Sequence, residues 1–471
     1  MDFDINVEKQ IKKDIQDLRK LGYAQELYRV IGGFSNFAIT FSVISVLSGL
    51  MFLYGYGLEL LGPLNIWTWW VVGFFQLLLA LSLGEIVSIY PLAGGVYQWT
   101  SRLSNPHIGW FCGCFSLLGW LACTAAIQYG NALFISTYFG FDINNTNIVI
   151  LVTTLIVIAH SLINIFGIRI VAWFNDFSVN IHIIGVIMLV SLMLIFGQKH
   201  PLSIITINDY IPKDTLVLNF TMALLMSAWT LTAFDAAANV SEESINPSKV
   251  VPWGMLFAVL SSIVLGSLLL LSLNLALPDL SITLSSNMPP ALFVVNNALG
   301  PTVYKFVAIF IILAQFTAGL SSQTVLIRIL YSFSRDDCIP LSRIWKYVST
   351  RYDTPVYSVL LVSAATLILC LFTSFLPTIA SLSTLGIYLS HAIVLMVAVF
   401  NYNKIMSNRG RFHLGKYGKT IHIISFIWAL FISAIMVIPP IGNIGKVFLV
   451  IAILILVFYY KIMRKKLKSY S

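Results

Sequence analysis

Long apolar runs separated by short polar intervals dominate the chain. The runs are about 20 residues or longer, the length a helix needs to cross a hydrocarbon core roughly 30 Å thick, and they lack the ten-residue alternation of a transmembrane barrel. Windows between the polar breaks predict an all-α membrane protein of twelve spans, near 31–58, 65–90, 108–137, 147–167, 177–197, 216–238, 253–276, 303–332, 356–375, 378–402, 421–439 and 444–462. Two spans carry interruptions. The first, from Ile31 to Leu58, is longer than one straight crossing needs, and Ser45, Ser48 and Gly49 cluster in its middle. The sixth has Trp229-Thr230-Leu231-Thr232 just before Asp235, a carboxylate that costs several kcal/mol in hydrocarbon unless it is shielded or used. Interrupted spans at corresponding places in two halves point to a transporter site, and first and sixth positions imply a five-span repeat. On the residues alone, the serines and glycine serve close helix packing equally well.

Composition agrees with this pattern. The 471 residues are 58% hydrophobic and 10% charged, and the mean hydropathy of +0.88 excludes a soluble globular domain. With both termini on the cytoplasmic side, 24 Lys and Arg fall inside and four (Lys199, Lys213, Lys305, Lys446) outside. That asymmetry supports the span count and the orientation together. It also accounts for the net charge of +9 without a nucleic-acid partner. The C-terminal KIMRKKLKSYS reads as an anchor against anionic lipid. Cys112, Cys114, Cys123, Cys338 and Cys370 form no disulfide framework or zinc pattern and read as packing residues. The first thirty residues mix charges (KQIKKDIQDLRK) as a cytoplasmic helix or tail would, not as a cleavable signal. GxSxG, HExxH, P-loop and paired Cys/His patterns are lacking, so an enzyme is not expected.

Four segments carry a resemblance. LGYAQELYRVIGGFSNFAITFSVISVLSGL (21–50), LGEIVSIYPLAGGVYQW (83–99), FDAAANVSEESINPSKVVPWG (234–254) and SSQTVLIRILYSFSRDDCIP (321–340) occur in the order found in the amino acid, amine and choline transporter family of the amino acid-polyamine-organocation superfamily. The chain resembles its amino acid and 4-aminobutyrate permeases most. The resemblance implies a LeuT-type fold: two inverted five-helix repeats (31–197 and 216–402), discontinuous first and sixth helices, a midplane site, and two further helices (403–463), between a cytoplasmic tail (1–30) and a basic tail (464–471). It therefore favours broken helices over mere close packing. Ala233 stands where many relatives have glycine before the aromatic-Asp pair, which implies a shorter unwound stretch.

Broken helices supply unpaired amides for an anion and freed carbonyls for an ammonium. The substrate carboxylate is accordingly expected by Ser48 and Gly49, with Ser45 beside them, and the amine near Trp229, Thr230 and Thr232. Trp229 and Phe234 are the expected walls and cation-π partners. For coupling, buried titratable groups are the natural proton carriers, and Asp235 and His182, beside Asn180, are the candidates. The resemblance adds that a fifth-span cation faces the broken first helix in related proton-coupled transporters. His160 and His391 read as ordinary polar contacts. Sodium is the competing ion, with Ser321 and Ser322 as hydroxyl ligands. Arg328 and Arg335, with Asp336 and Asp337 as partners, are expected to latch an inward gate, and Glu85 to pair with Arg102 or Arg335. Ser241-Glu242-Glu243 reads as the exit of the sixth span into the cytoplasm. The expected function is secondary active transport of an amino acid or small amine across the cell membrane, by alternating access and driven by protons or by sodium. An organic cation transporter or exchanger is the alternative, and a passive channel or nutrient sensor a more distant one. No cofactor is expected; expected partners are the small-molecule substrate, the lipid bilayer and, as an open alternative, a second copy of the chain.

Overall fold

The computed structural model describes residues 2–206, 211, 214–372, 376–437 and 444–467. Lys213, the expected ends of the ninth and eleventh spans at 375 and 439, and the tail from 468 lie outside the described residues. The rest is helical, and extended pairing among the described residues is limited to two isolated bridges. Among the described residues, ten stretches are long and apolar enough to cross a membrane; the first of these, Gly33–Ile89, turns through Gly62–Asn65, and Val356–Leu371 is a shorter apolar helix. The protein is a multi-pass membrane protein. Its outer helices present Leu151, Leu155 and Ile158 or Phe257, Leu260 and Val264 outward, as lipid-facing surfaces do. The final stretch, Ile444–Leu467, lies at the periphery with 6% of its window buried.

Both interruptions are present. The first span is two helices, Gly33–Ile44 and Val46–Leu61, hinged at Ser45, which takes a left-handed φ of 47°. A non-glycine residue there costs about 1–2 kcal/mol, so the bend persists because its side chain is held on both sides. The sixth span runs as Leu216–Leu231, a tight turn Thr232–Asp235, and one helical turn Ala236–Asn239. Ala233 leaves the helical region with φ −82° and ψ 21°. The break thus falls after the Trp229-Thr232 run, and Asp235 ends the turn. The two breaks are stitched together: the Ala237 amide donates to Thr40 Oγ1 at 3.1 Å.

Around this pair stand long helices, including the third span Pro106–Phe139, the fifth Ile168–Leu192, the tenth Leu376–Phe400, and the eighth, which lies within Pro290–Arg335 after a kink at Gly300 with φ 77°. The fifth begins nine residues before its expected start at 177, because Gly167, at φ 108°, ends the preceding turn and lets the helix run on from Ile168. The third and tenth approach backbone to backbone at Gly119 and Gly386. Helices in lipid gain little from apolar contact alone, so small residues that permit close approach do the packing. The N-terminal helix Asp2–Lys20 leads into a strap, residues 21–31, that crosses one end of the molecule. There the Val30 and Ile31 amides both donate to Glu243 O at 2.8 Å, and the Ile245 amide returns a bond to Ile31 O at 2.9 Å.

Candidate functional site

Ser45, Gly49, Trp229 and Thr230, named from the sequence, converge on one enclosed cavity, joined by Ala233 and by Gln315 of the eighth span. Its volume of ≈ 10 Å³ holds about one water and is too small for a larger solute. Ser48 stands one step behind the wall and hydrogen-bonds Ser45 Oγ. Thr232 and Phe234 are buried in the turn rather than on the wall, and the Phe234 ring packs 5.3 Å from the His391 ring. The Trp229 and Phe52 rings lie tilted with centroids 5.1 Å apart, and the indole Nε1 has no hydrogen-bond partner among the described residues. Gln315 donates from Nε2 to Ile127 O at 3.1 Å, which fixes the amide and leaves Oε1 without a donor. Flipping the amide would set oxygen against oxygen. The wall thus offers one unused donor and one unused acceptor, and among the described residues no Asp, Glu, Lys, Arg or His lines it. Gln315 escaped the sequence reading, although a lone amide in the apolar run FIILAQFTAG was its signal.

His182 reaches the first break directly. Its Nε2 lies 2.9 Å from Ser45 Oγ, and its Nδ1 lies 2.9 Å from Ser178 O. A carbonyl only accepts, so Nδ1 carries the proton and Nε2 accepts from Ser45. Ser178 Oγ continues the chain to Thr317 Oγ1 at 2.6 Å. Asn180 takes no part, being exposed and bonded to Asp176 O. Ser321 and Ser322 diverge, the first to Asn175 Oδ1 and the second to Thr124 Oγ1 at 2.8 Å.

Asp235 is 1% exposed, and its Oδ2 lies 3.5 Å from His391 Nε2 of the tenth span. His391, read from the sequence as an ordinary contact, therefore faces Asp235 within ion-pairing distance. Next to it, Tyr388 donates to Gln76 Oε1 at 2.9 Å, and Gln76 Nε2 donates to the Leu231 carbonyl at 2.8 Å. That carbonyl ends the first half of the broken sixth span, and Gln76 satisfies it.

The amino acid permease family model matches residues 31–459. The chain belongs to the amino acid permease family. The permease is 29% identical over 456 residues to the amino-acid permease BAT1 of Arabidopsis thaliana, covering 90% of this chain and 88% of that protein. A rice homolog of BAT1 is 28% identical over 90% of this chain and 87% of its own. The GABA-specific permease of Saccharomyces cerevisiae is 28% identical over 76% of this chain and 66% of its own.

At the permease's N-terminal face the expected ion pairs are replaced by others. Arg335 pairs with Glu242 through two bonds of 2.8 Å, and Arg328 with Glu243 at 2.8 and 3.0 Å, not with Asp336 or Asp337. Side chains on a helix project back toward its N-terminus, and here that carries both guanidiniums onto the segment after the sixth span. Ser241, Glu242 and Glu243 are accordingly buried at 0% exposure rather than forming an open exit. Asp336 instead accepts from Tyr23, Tyr97 and Gln98, and Asp337 pairs with Lys346 at 3.3 Å. Burial first, and Asp336 second, push the Tyr23 phenol up to about 12, so it stays a donor at any physiological pH. Arg335 also lies 3.8 Å over the Tyr23 ring. Glu85 pairs with neither Arg102 nor Arg335. It faces the eleventh span, where His422 Nε2 lies 3.0 Å away, and accepts from the Leu414 amide at 2.7 Å. Arg102 is drawn off to the strap, donating to Leu21 O at 2.6 Å.

Proposed function

We propose that the permease is a secondary active transporter that moves an amino acid or small amine across the cell membrane by alternating access, driven by protons. It is read as twelve spans, a five-plus-five inverted repeat of LeuT type with two further helices, and both termini in the cytoplasm. The observation that carries this reading is the meeting of two interrupted spans at one closed cavity with an aromatic wall. In the closed form the Ser48 and Gly49 amides donate to Ser45 O at 3.2 and 2.6 Å and Gln76 holds the Leu231 carbonyl, so the half-helix ends would offer amides to a carboxylate and carbonyls to an ammonium once substrate displaces these bonds. A bare organic cation is the weaker substrate, because the wall has no carboxylate to neutralise it. Among zwitterions, 4-aminobutyrate is a probe worth first use, since the similar yeast permease is named for it. Protons are preferred to sodium because Ser321 and Ser322 face different neighbours.

Uptake of labelled amino acids and 4-aminobutyrate into proteoliposomes, with and without an acid-outside gradient, tests the reading. Accumulation above equilibrium under the gradient is expected; equilibration that ignores the gradient would sink proton coupling. Gln315→Leu is expected to weaken binding of transported solutes roughly 10- to 150-fold, the loss of one hydrogen bond to a charged group. Isothermal titration or thermal shift against a panel of amino acids and amines checks this. Unchanged affinity across the panel would remove Gln315 from the substrate site.

A further inference from the structure

We propose that Asp235 and His391 form one buried proton seat whose net charge decides whether the sixth-span hinge can close over substrate, while His182 is a positioning residue for the first break. The proposal rests on the proton-driven reading above and specifies where its proton sits. Both side chains are almost fully buried. Their closest approach, 3.5 Å, leaves Asp235 Oδ1 and both imidazole nitrogens of His391 without a hydrogen bond among the described residues. Buried polar atoms are normally satisfied, and three orphans at one contact mark a place whose partners are present in another state. His391 is the cationic group within 4 Å of Asp235 among the described residues. The other titratable groups that face the pair are Tyr388 on the tenth span and the thiols of Cys112 and Cys123 on the third. Thr40 of the first span and Gln76 of the second, which brace the turn, carry no charge.

The charge arithmetic gives the coupling. Without the proton the pair is a carboxylate beside a neutral imidazole, net −1, and burying an uncompensated charge costs several kcal/mol. Adding one proton to a His391 nitrogen makes an imidazolium against the carboxylate, net zero, and the turn can close over it. Opening to the other side hydrates the pair, the proton leaves to water, and the seat returns to −1. With substrate in place the closing turn leaves the pair dry, so the loaded hinge closes only with the proton. The empty hinge closes with water where the substrate stood, which solvates the carboxylate, and returns at −1, so each cycle carries one zwitterion and one net positive charge. His182 differs in every respect that matters: both its nitrogens are partnered in the neutral ring, and its bond to Ser45 holds the left-handed residue in place.

The full chain, reconstituted in proteoliposomes, is assayed with labelled 4-aminobutyrate and with a labelled L-amino acid mixture. Three readouts are taken: accumulation under an acid-outside gradient, counterflow exchange without a gradient, and transport current. Asp235→Asn, neutral without a proton, is expected to keep counterflow but to lower the ratio of driven accumulation to counterflow by about tenfold or more and to abolish the current. His391→Gln, held at −1, is expected to lose accumulation, counterflow and current while still binding substrate in a thermal-shift assay. His182→Gln is expected to lower both kinds of transport together, with a raised KM and an unchanged ratio. If Asp235→Asn does not fold, His391→Gln decides. A His391→Gln protein that keeps the parental ratio and current overturns the seat, as does a His182→Gln protein that alone loses the ratio. A parent protein that exchanges substrate but ignores the gradient overturns the proton-driven reading itself, and the seat with it.

Discussion

Arg328→Met is expected to lower the melting temperature of the purified permease by several degrees and to cut the yield of folded protein. Arg328 and Glu243 are 1% and 0% exposed, and they meet through two charge-assisted bonds. Deleting the guanidinium leaves Glu243 as a buried, unpaired carboxylate, a loss of about 3–5 kcal/mol. The effect spreads because the Glu243 carbonyl also receives the Val30 and Ile31 amides, so a displaced Glu243 frees the strap. Replacing both partners, Arg328→Met with Glu243→Met, is expected to recover most of that stability, since an apolar pair of similar volume needs no desolvation of charge. Detergent-phase thermal melts of the two variants check the pattern. A single variant as stable as the parent, or a double variant no better than the single, would show that the pair does not hold this face. Arg335, 10% exposed with its partner Glu242 at 1%, is expected to give a smaller loss of the same sign.

Gly119→Val is expected to abolish folded, transport-competent protein. A Cβ at Gly119 would sit 2.6 Å from the Ile387 amide nitrogen and 2.9 Å from the Gly386 carbonyl carbon, so the obstacle is backbone and cannot swing aside. The third and tenth spans would have to separate along a contact that also sets the position of His391, one helical turn beyond Ile387. Overpacking of this kind costs about 1–3 kcal/mol when side chains can yield, and more where backbone must move. Gly33→Ala is the matched control, because its nearest neighbour would be Val250 Cγ1 at an ordinary 3.6 Å. Size-exclusion profiles and uptake measure both. Gly119→Val protein that runs as a sharp peak and transports like Gly33→Ala would mean that the close approach is not required.

Much of the architecture was readable one helix at a time. Hydropathy marked the spans, because each must present roughly 30 Å of apolar surface to lipid whatever its neighbours do. The two interruptions were also local, since Ser45-Ser48-Gly49 and Trp229-Thr232 break an apolar run where they stand. Four residues named on that basis, Ser45, Gly49, Trp229 and Thr230, do line one cavity. Charge partners were a different matter. Asp336 and Asp337 follow Arg335 directly, yet Arg335 reaches Glu242, and Glu85 finds His422 more than 300 residues away.

The sequence by itself determined that the chain is a helical membrane protein, where its helices lie, which two are broken and which residues hold the first break's polar core. Those properties depend on transfer of each segment into lipid and on backbone conformation, both of which are local sums over neighbouring residues. Only the tertiary structure decided that Asp235 faces His391, that Gln315 completes the cavity wall, that Gln76 satisfies the sixth span's free carbonyl, and that Arg328 and Arg335 close on buried glutamates. A buried charge or orphaned polar atom must find a partner across helix contacts, and which helix faces which is fixed by packing, such as the Gly119–Gly386 approach, rather than by separation along the chain.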